Sequence, residues 1–142
     1  MLVTNRCPGH DVLKIERATD MLLERAFKHA GVVAKVLKFA HNEDEEDVEL
    51  KYDIHFFTKE DAQKAMNALD EEKVEYVVYD DTTLVYCISW DSTNVDEVVV
   101  AKEAEVKRIE ELLGCEIEGT FDDRKVFEGE YYWGLVEEVL FV

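Results

Sequence analysis

The sequence predicts an α+β fold, an antiparallel sheet with helices on one of its faces. Three observations carry that expectation. Hydrophobic spacing changes along the chain between the period of a helix and that of a strand. From residue 48 the segments run strand, helix, strand, strand, helix, strand. The chain is also 47% hydrophobic, which is enough for a core despite 35% charged residues.

The elements follow in order. Val12, Ile15, Leu22, Leu23, Ala26 and Phe27 fall on one side of a helix over 11–29, with Asp11 as its cap and Gly31 past its end. Residues 32–39 (VVAKVLKF) are apolar and rich in β-branched side chains, the composition of a strand. The run 41–47 (HNEDEED) is a charged loop. Val48, Leu50, Tyr52, Ile54 and Phe56 then alternate with Glu49, Lys51, Asp53 and His55, as a half-buried strand does. The two strands form a hairpin across the acidic loop.

Thr58 and Asp61 give the start signal of the next helix, whose buried side is Ala62, Ala65, Met66 and Leu69. Residues 74–79 (VEYVVY) and 83–90 (TLVYCISW) predict an antiparallel hairpin turning at 80–82. Asn94 caps the following helix, with Val95, Val98, Val99, Val106, Ile109, Leu112 and Leu113 on its apolar side and Gly114 at its stop. Three successive valines at 98–100 weaken that helix without outweighing its caps. Residues 115–121 (CEIEGTF) read as a last short strand. The segment 126–142 reads two ways. Tyr131, Trp133 and Leu135 alternate like a strand, while Leu135, Val136, Val139 and Leu140 have helical spacing.

At 142 residues the chain is expected to be a single domain. Residues 48–121 have the β-α-β-β-α-β order of a ferredoxin-like sandwich. Residues 1–47 add an N-terminal helix and strand, and residues 122–142 form a C-terminal extension.

Charge narrows the function. Acidic residues number 34 and basic ones 16, a formal net charge of −18. Direct binding to nucleic acid is not expected, because no basic excess exists to neutralise phosphates. Anionic membranes are excluded on the same ground. A basic protein surface fits the sign. No signal peptide and no long apolar run is read from the chain, and three widely spaced cysteines make no disulfide framework. A cytoplasmic protein with reduced thiols is expected.

The residues with chemical potential are few. Cys7 and His10 form a C-x-x-H pair that lacks two further zinc ligands, so no metal is expected. Cys87 and Cys115 have no His at catalytic spacing and read as buried structural thiols. His55 lies on the polar phase of its strand, and His29 and His41 sit near element ends. No Ser-His-Asp set or Gly-rich phosphate loop is present, so neither enzymatic activity nor a cofactor is expected. Two segments are candidates for partner binding. The run Glu43, Asp44, Glu45, Glu46 and Asp47 lacks calcium-loop spacing and suits basic side chains. Tyr131, Tyr132 and Trp133 have the residue types of an interface hot spot, and equally of a cover over a sheet edge.

The run from Leu50 to Ala62 (LKYDIHFFTKEDA) resembles the opening of the regulator of ribonuclease activity B family, the ribonuclease E inhibitors. Val74–Val78 and Thr83–Trp90 resemble that family's second and third strands, and the helix from Val95 through Gly119 resembles its last helix and strand. The resemblance covers residues 48–121. Glu118-Gly119-Thr120 stands where the family commonly has an Asp-Gly-Trp type turn, and an aromatic, apolar C-terminal segment stands where it has an acidic tail. The resemblance implies a non-catalytic, acidic, cytoplasmic protein that inhibits a larger enzyme by binding it. In that family the enzyme is the RNA-degrading endonuclease of the degradosome. The partner expected here is therefore a basic surface on a ribonuclease or another nucleic-acid-handling enzyme. The same charge admits an alternative: a phage-type nucleic-acid mimic that occupies a DNA- or RNA-binding surface. Mimicry requires carboxylates spaced along one face like phosphates.

Overall fold

The computed structural model describes residues 2–6, 14–42, 47–91, 95–117 and 132–142. Six strands and three helices follow in the order β1 (Leu2–Arg6), α1 (Lys14–Ala30), β2 (Ala34–Asn42), β3 (Asp47–Phe56), α2 (Lys59–Glu71), β4 (Val77–Asp80), β5 (Thr83–Asp91), α3 (Val95–Leu113) and β6 (Tyr132–Phe141). The fold is α+β. The strands make one open antiparallel sheet in the order β1-β6-β2-β3-β5-β4.

Strand alternation decides what the sheet buries. Ala34, Val36 and Ala40 of β2, Leu50, Tyr52, Ile54 and Phe56 of β3, and Leu84 and Ile88 of β5 are all buried. They share one phase and meet the apolar sides of the helices. Helix α1 packs against both α2 and α3. Its Phe27 ring stands edge-on to Phe56 at 5.6 Å and to Phe141 of β6 at 5.3 Å. Ala62, Ala65 and Ala68 on the buried side of α2 let that helix come close. Arg25 of α1 joins both neighbours, with Nε 3.4 Å from Glu72 and Nη1 donating to the Leu112 carbonyl at 2.9 Å.

Local chemistry sets the element ends. Thr58 caps α2, its hydroxyl accepting from the Asp61 amide at 3.1 Å. Gly31 and Gly114 both take φ of +70 just beyond α1 and α3, where a glycine ends a helix without steric cost.

One open reading is decided and one expectation is revised. The segment 126–142 resolves as a strand over its described part, β6. The strand expected over 115–121 is absent from its described part: residues 115–117 follow the α3 stop outside any strand, and residues 118–121 lie outside the described residues. In the ferredoxin-like plan, the strand after the last helix sits beside the first strand of the unit. Beside β3 that place is held by β2.

Phe27 is 1% exposed and touches two other rings. Phe27→Ala is expected to destabilise the fold by about 3–5 kcal/mol through lost transfer energy and a residual cavity. Urea unfolding should show a lower midpoint at an unchanged slope.

Candidate functional site

The three described residues proposed for partner binding, Asp47, Tyr132 and Trp133, lie at one end of the sheet. Asn42 is paired with Val48 on one side and with Tyr132 on the other, and Val48 in turn pairs with Trp90. A register row therefore runs Tyr132, Asn42, Val48, Trp90 across four strands. Trp133 lies in the next row, opposite His41, and Asp47 lies beyond, opposite Asp91. Asp47, Tyr132 and Trp133 thus share one sheet end, although 85 positions separate the first two in sequence. Glu43, Asp44, Glu45, Glu46 and Tyr131 lie outside the described residues, as do Cys7 and His10.

A second constellation lies inside the fold. The Lys38 side chain on β2 is fully buried. Its Nζ donates to Asp20 Oδ2 at 2.6 Å, Glu16 Oε2 at 2.9 Å and Glu137 Oε2 at 3.1 Å. It also stands 5.2 Å from the centre of the Tyr52 ring. Glu16 and Asp20 are four residues apart on α1, which places both above β2. Glu137 is brought opposite Lys38 by the β2–β6 register.

Burial alone would lower the Lys38 pKa, but Asp20, Glu16 and Glu137 outweigh it and raise it above the ordinary 10.5. Burial has the opposite consequence for Asp20, whose carboxyl is pushed up from 3.8 to about 7 despite the nearby ammonium. Asp20 Oδ1 and the Tyr52 hydroxyl are buried without a hydrogen bond. Burial and the Asp20 and Glu16 charges hold Tyr52 protonated far above its ordinary range.

The three carboxylates approach one another within 4.8 Å, a set able to hold a metal ion. The Lys38 ammonium stands within bonding distance of all three and fills the place a cation would take. Sequence reasoning passed over this cluster. Two signals could have found it: acids four apart within the apolar side of α1, and a lysine in phase with Val36 and Ala40.

The thiols differ from expectation. Cys87 and Cys115 are exposed. Cys87 lies on the phase of β5 opposite to buried Leu84 and Ile88, and Cys115 follows the end of α3. Partial burial and Glu49, whose Oε1 accepts from Sγ at 3.5 Å, raise the Cys87 pKa to about 11. The thiol is protonated at neutral pH and is a weak nucleophile. His55 Nδ1 sits 3.3 Å from the Thr83 hydroxyl, and His29 Nε2 is 3.9 Å from Glu71.

A cleft of about 330 Å³ opens between α1, α3 and β5. Tyr86 lines it with Thr19, Glu105 and Arg108. Burial, first, and Glu105 raise Tyr86 to about 12. Neither Tyr86 nor Cys87, which also lines the cleft, is ionised at neutral pH.

Comparison with protein-family models, with curated proteins and with solved structures finds no match. Among the described residues no helix is long and apolar enough to cross a membrane.

Two predictions concern the buried lysine. Lys38→Met strands three buried carboxylates without their cation and should cost about 3–5 kcal/mol at neutral pH, read by chemical unfolding. Asp20 makes stability depend on pH, because its folded pKa of about 7 exceeds the 3.8 of the free group. Its contribution is full below 3.8 and is lost as pH rises to about 7. The stability of the native chain relative to Asp20→Asn should therefore fall across that window. A flat difference would contradict the assignment.

Proposed function

We propose that this chain is a non-enzymatic, cytoplasmic regulator. It would inhibit a larger nucleic-acid-handling enzyme, an RNA-processing ribonuclease by the family resemblance, by binding a basic surface on it. The observation that carries this reading is where the excess negative charge stands. Glu60, Asp70, Glu71, Glu75, Asp80, Asp81, Glu103, Glu111 and Glu116 are all exposed, on α2 and α3, in the segments that follow them and at the β4–β5 turn. The ionic cluster buried among the described residues is closed on its own lysine. Such an arrangement suits attraction at a distance more than chemistry at a site. The β3–α2–β4–β5–α3 segment is proposed to be a ferredoxin-like split unit, with β2 taking the fourth place in the sheet.

The sheet end with Asp47, Tyr132 and Trp133 is the proposed contact, where the register brings two aromatic residues near Asp47 and the sequence adds Glu43–Glu46 just before it. Nucleic-acid mimicry finds less support. Described acids are divided among α1, α2, α3, β3, β6 and the hairpin turn.

Affinity capture from cell extract at low and moderate salt tests the proposal. The expected result is a basic, nucleic-acid-handling enzyme that loses activity as the protein is added. Neutralising the loop (Glu43→Gln, Asp44→Asn, Glu45→Gln, Glu46→Gln, Asp47→Asn) should weaken capture by about tenfold. Recovery of no such enzyme at either salt would overturn the reading. Release of the enzyme by competing DNA would favour mimicry.

A further inference from the structure

At the other side of the sheet, β4 is an edge strand that pairs, among the described residues, with β5 alone. All four of its residues are exposed, Val77 to 67%, Val78 to 53% and Tyr79 to 76%. The register shifts between Val78 and Asp80, which leaves Tyr79 out of the pairing with β5. Phe57 is 84% exposed. It follows Phe56, whose amide donates to the Thr82 carbonyl, and so stands beside the tip of the β4–β5 hairpin. Protected edges usually carry lysine or proline. The run 74–80 (VEYVVYD) has neither. Beside β4 lies a groove of about 680 Å³, lined by Asp70, Val74, Glu75, Tyr76, Val77, Val85 and Cys87. Among the described residues, two carboxylates and no cation line it.

We propose that the β4 edge accepts an extended, basic segment of a partner protein as an added strand. Apolar side chains of that segment would lie against Val77 and Tyr79, and its lysines or arginines would meet Asp70, Glu75, Asp80 and Asp81. Backbone pairing supplies affinity, and alternate side chains supply specificity. The inference rests on the proposed binding of a basic partner and adds a second contact surface to the Asp47, Tyr132 and Trp133 sheet end. Charge decides the occupant. Antiparallel pairing of two copies centred between Val77 and Val78 sets Glu75 of each opposite Asp80 of the other, which is unfavourable. A basic strand in the same place converts both positions into attraction. Asp80 remains an anion for this purpose: the Thr82 amide donates to its Oδ1 at 2.9 Å and lowers its pKa.

The probe is a short amidated peptide alternating lysine and valine, with a fluorescent label. It should bind the intact protein at physiological salt and slow amide exchange across residues 77–80. The same peptide with a central proline should bind at least about tenfold more weakly, and so should the native peptide on the Val78→Lys/Tyr79→Lys double variant. Both positions are exposed, and an unchanged thermal midpoint checks that the variant is folded. Neutralising Glu43–Asp47 should leave peptide affinity within about twofold. Equal binding of the proline-containing peptide overturns the inference, since attraction without strand pairing then suffices. Protection at residues 41, 42, 132 and 133 in place of β4 also overturns it, and leaves the binding of a basic partner standing. Peptide binding at β4 with no enzyme captured from extract keeps the edge assignment and removes the regulatory reading.

Discussion

Lys38 is the point where the fold is tied together. A single ammonium group bonds α1 twice, through Glu16 and Asp20, and bonds β6 once, through Glu137. The lysine itself belongs to β2, in the middle of the sheet. Apolar packing is tolerant of small slips, whereas three charge-assisted bonds to one atom are not. The cluster therefore fixes the height of α1 over β2 and the register of β6 against β2. It does so at a cost, because burying four ionisable groups is expensive even when they are paired. Hydrophobic residues of similar volume hold as firmly as such a buried ionic set, so its role is to specify the arrangement more than to strengthen it.

Much of the architecture was legible in the sequence, and the exceptions have physical causes. Alternation over Val48–Phe56 and the Thr58 cap announced β3 and α2 directly, since one face of β3 is buried and the hydroxyl satisfies the Asp61 amide. β6 resisted reading because the register shift between Lys38 and Phe39 lets Val136 and Glu137, neighbours in sequence, both be buried. That breaks the period of two on which a strand is recognised. The strand beside β3 was misplaced for another reason: sequence order lists elements but does not say which one fills a shared position.

The candidate site was legible in residue type and hidden in geometry. Asp47, Tyr132 and Trp133 were chosen for charge and aromaticity, and the β2 ladder explains how positions so distant in sequence reach one sheet end. Cys87 was misjudged because cysteine is so often buried. Its phase, between inward-facing neighbours, was the better guide. The buried carboxylates went unnoticed because a chain with 34 acids gives no reason to single out three.

The sheet order has a kinetic consequence. β1 and β2 stand near each other in sequence, yet β6 separates them in the sheet and is the neighbour of both. Neither can reach its full set of backbone partners until residues 132–141 arrive. Half of the sheet thus closes through contacts that span nearly the whole chain, with a large loop entropy lost before the first of them forms. The hairpin of β2 and β3, α2 and the β4–β5 pair are by contrast local. Folding should therefore run from the β4 side of the sheet toward β1, with the insertion of β6 as its last and slowest act.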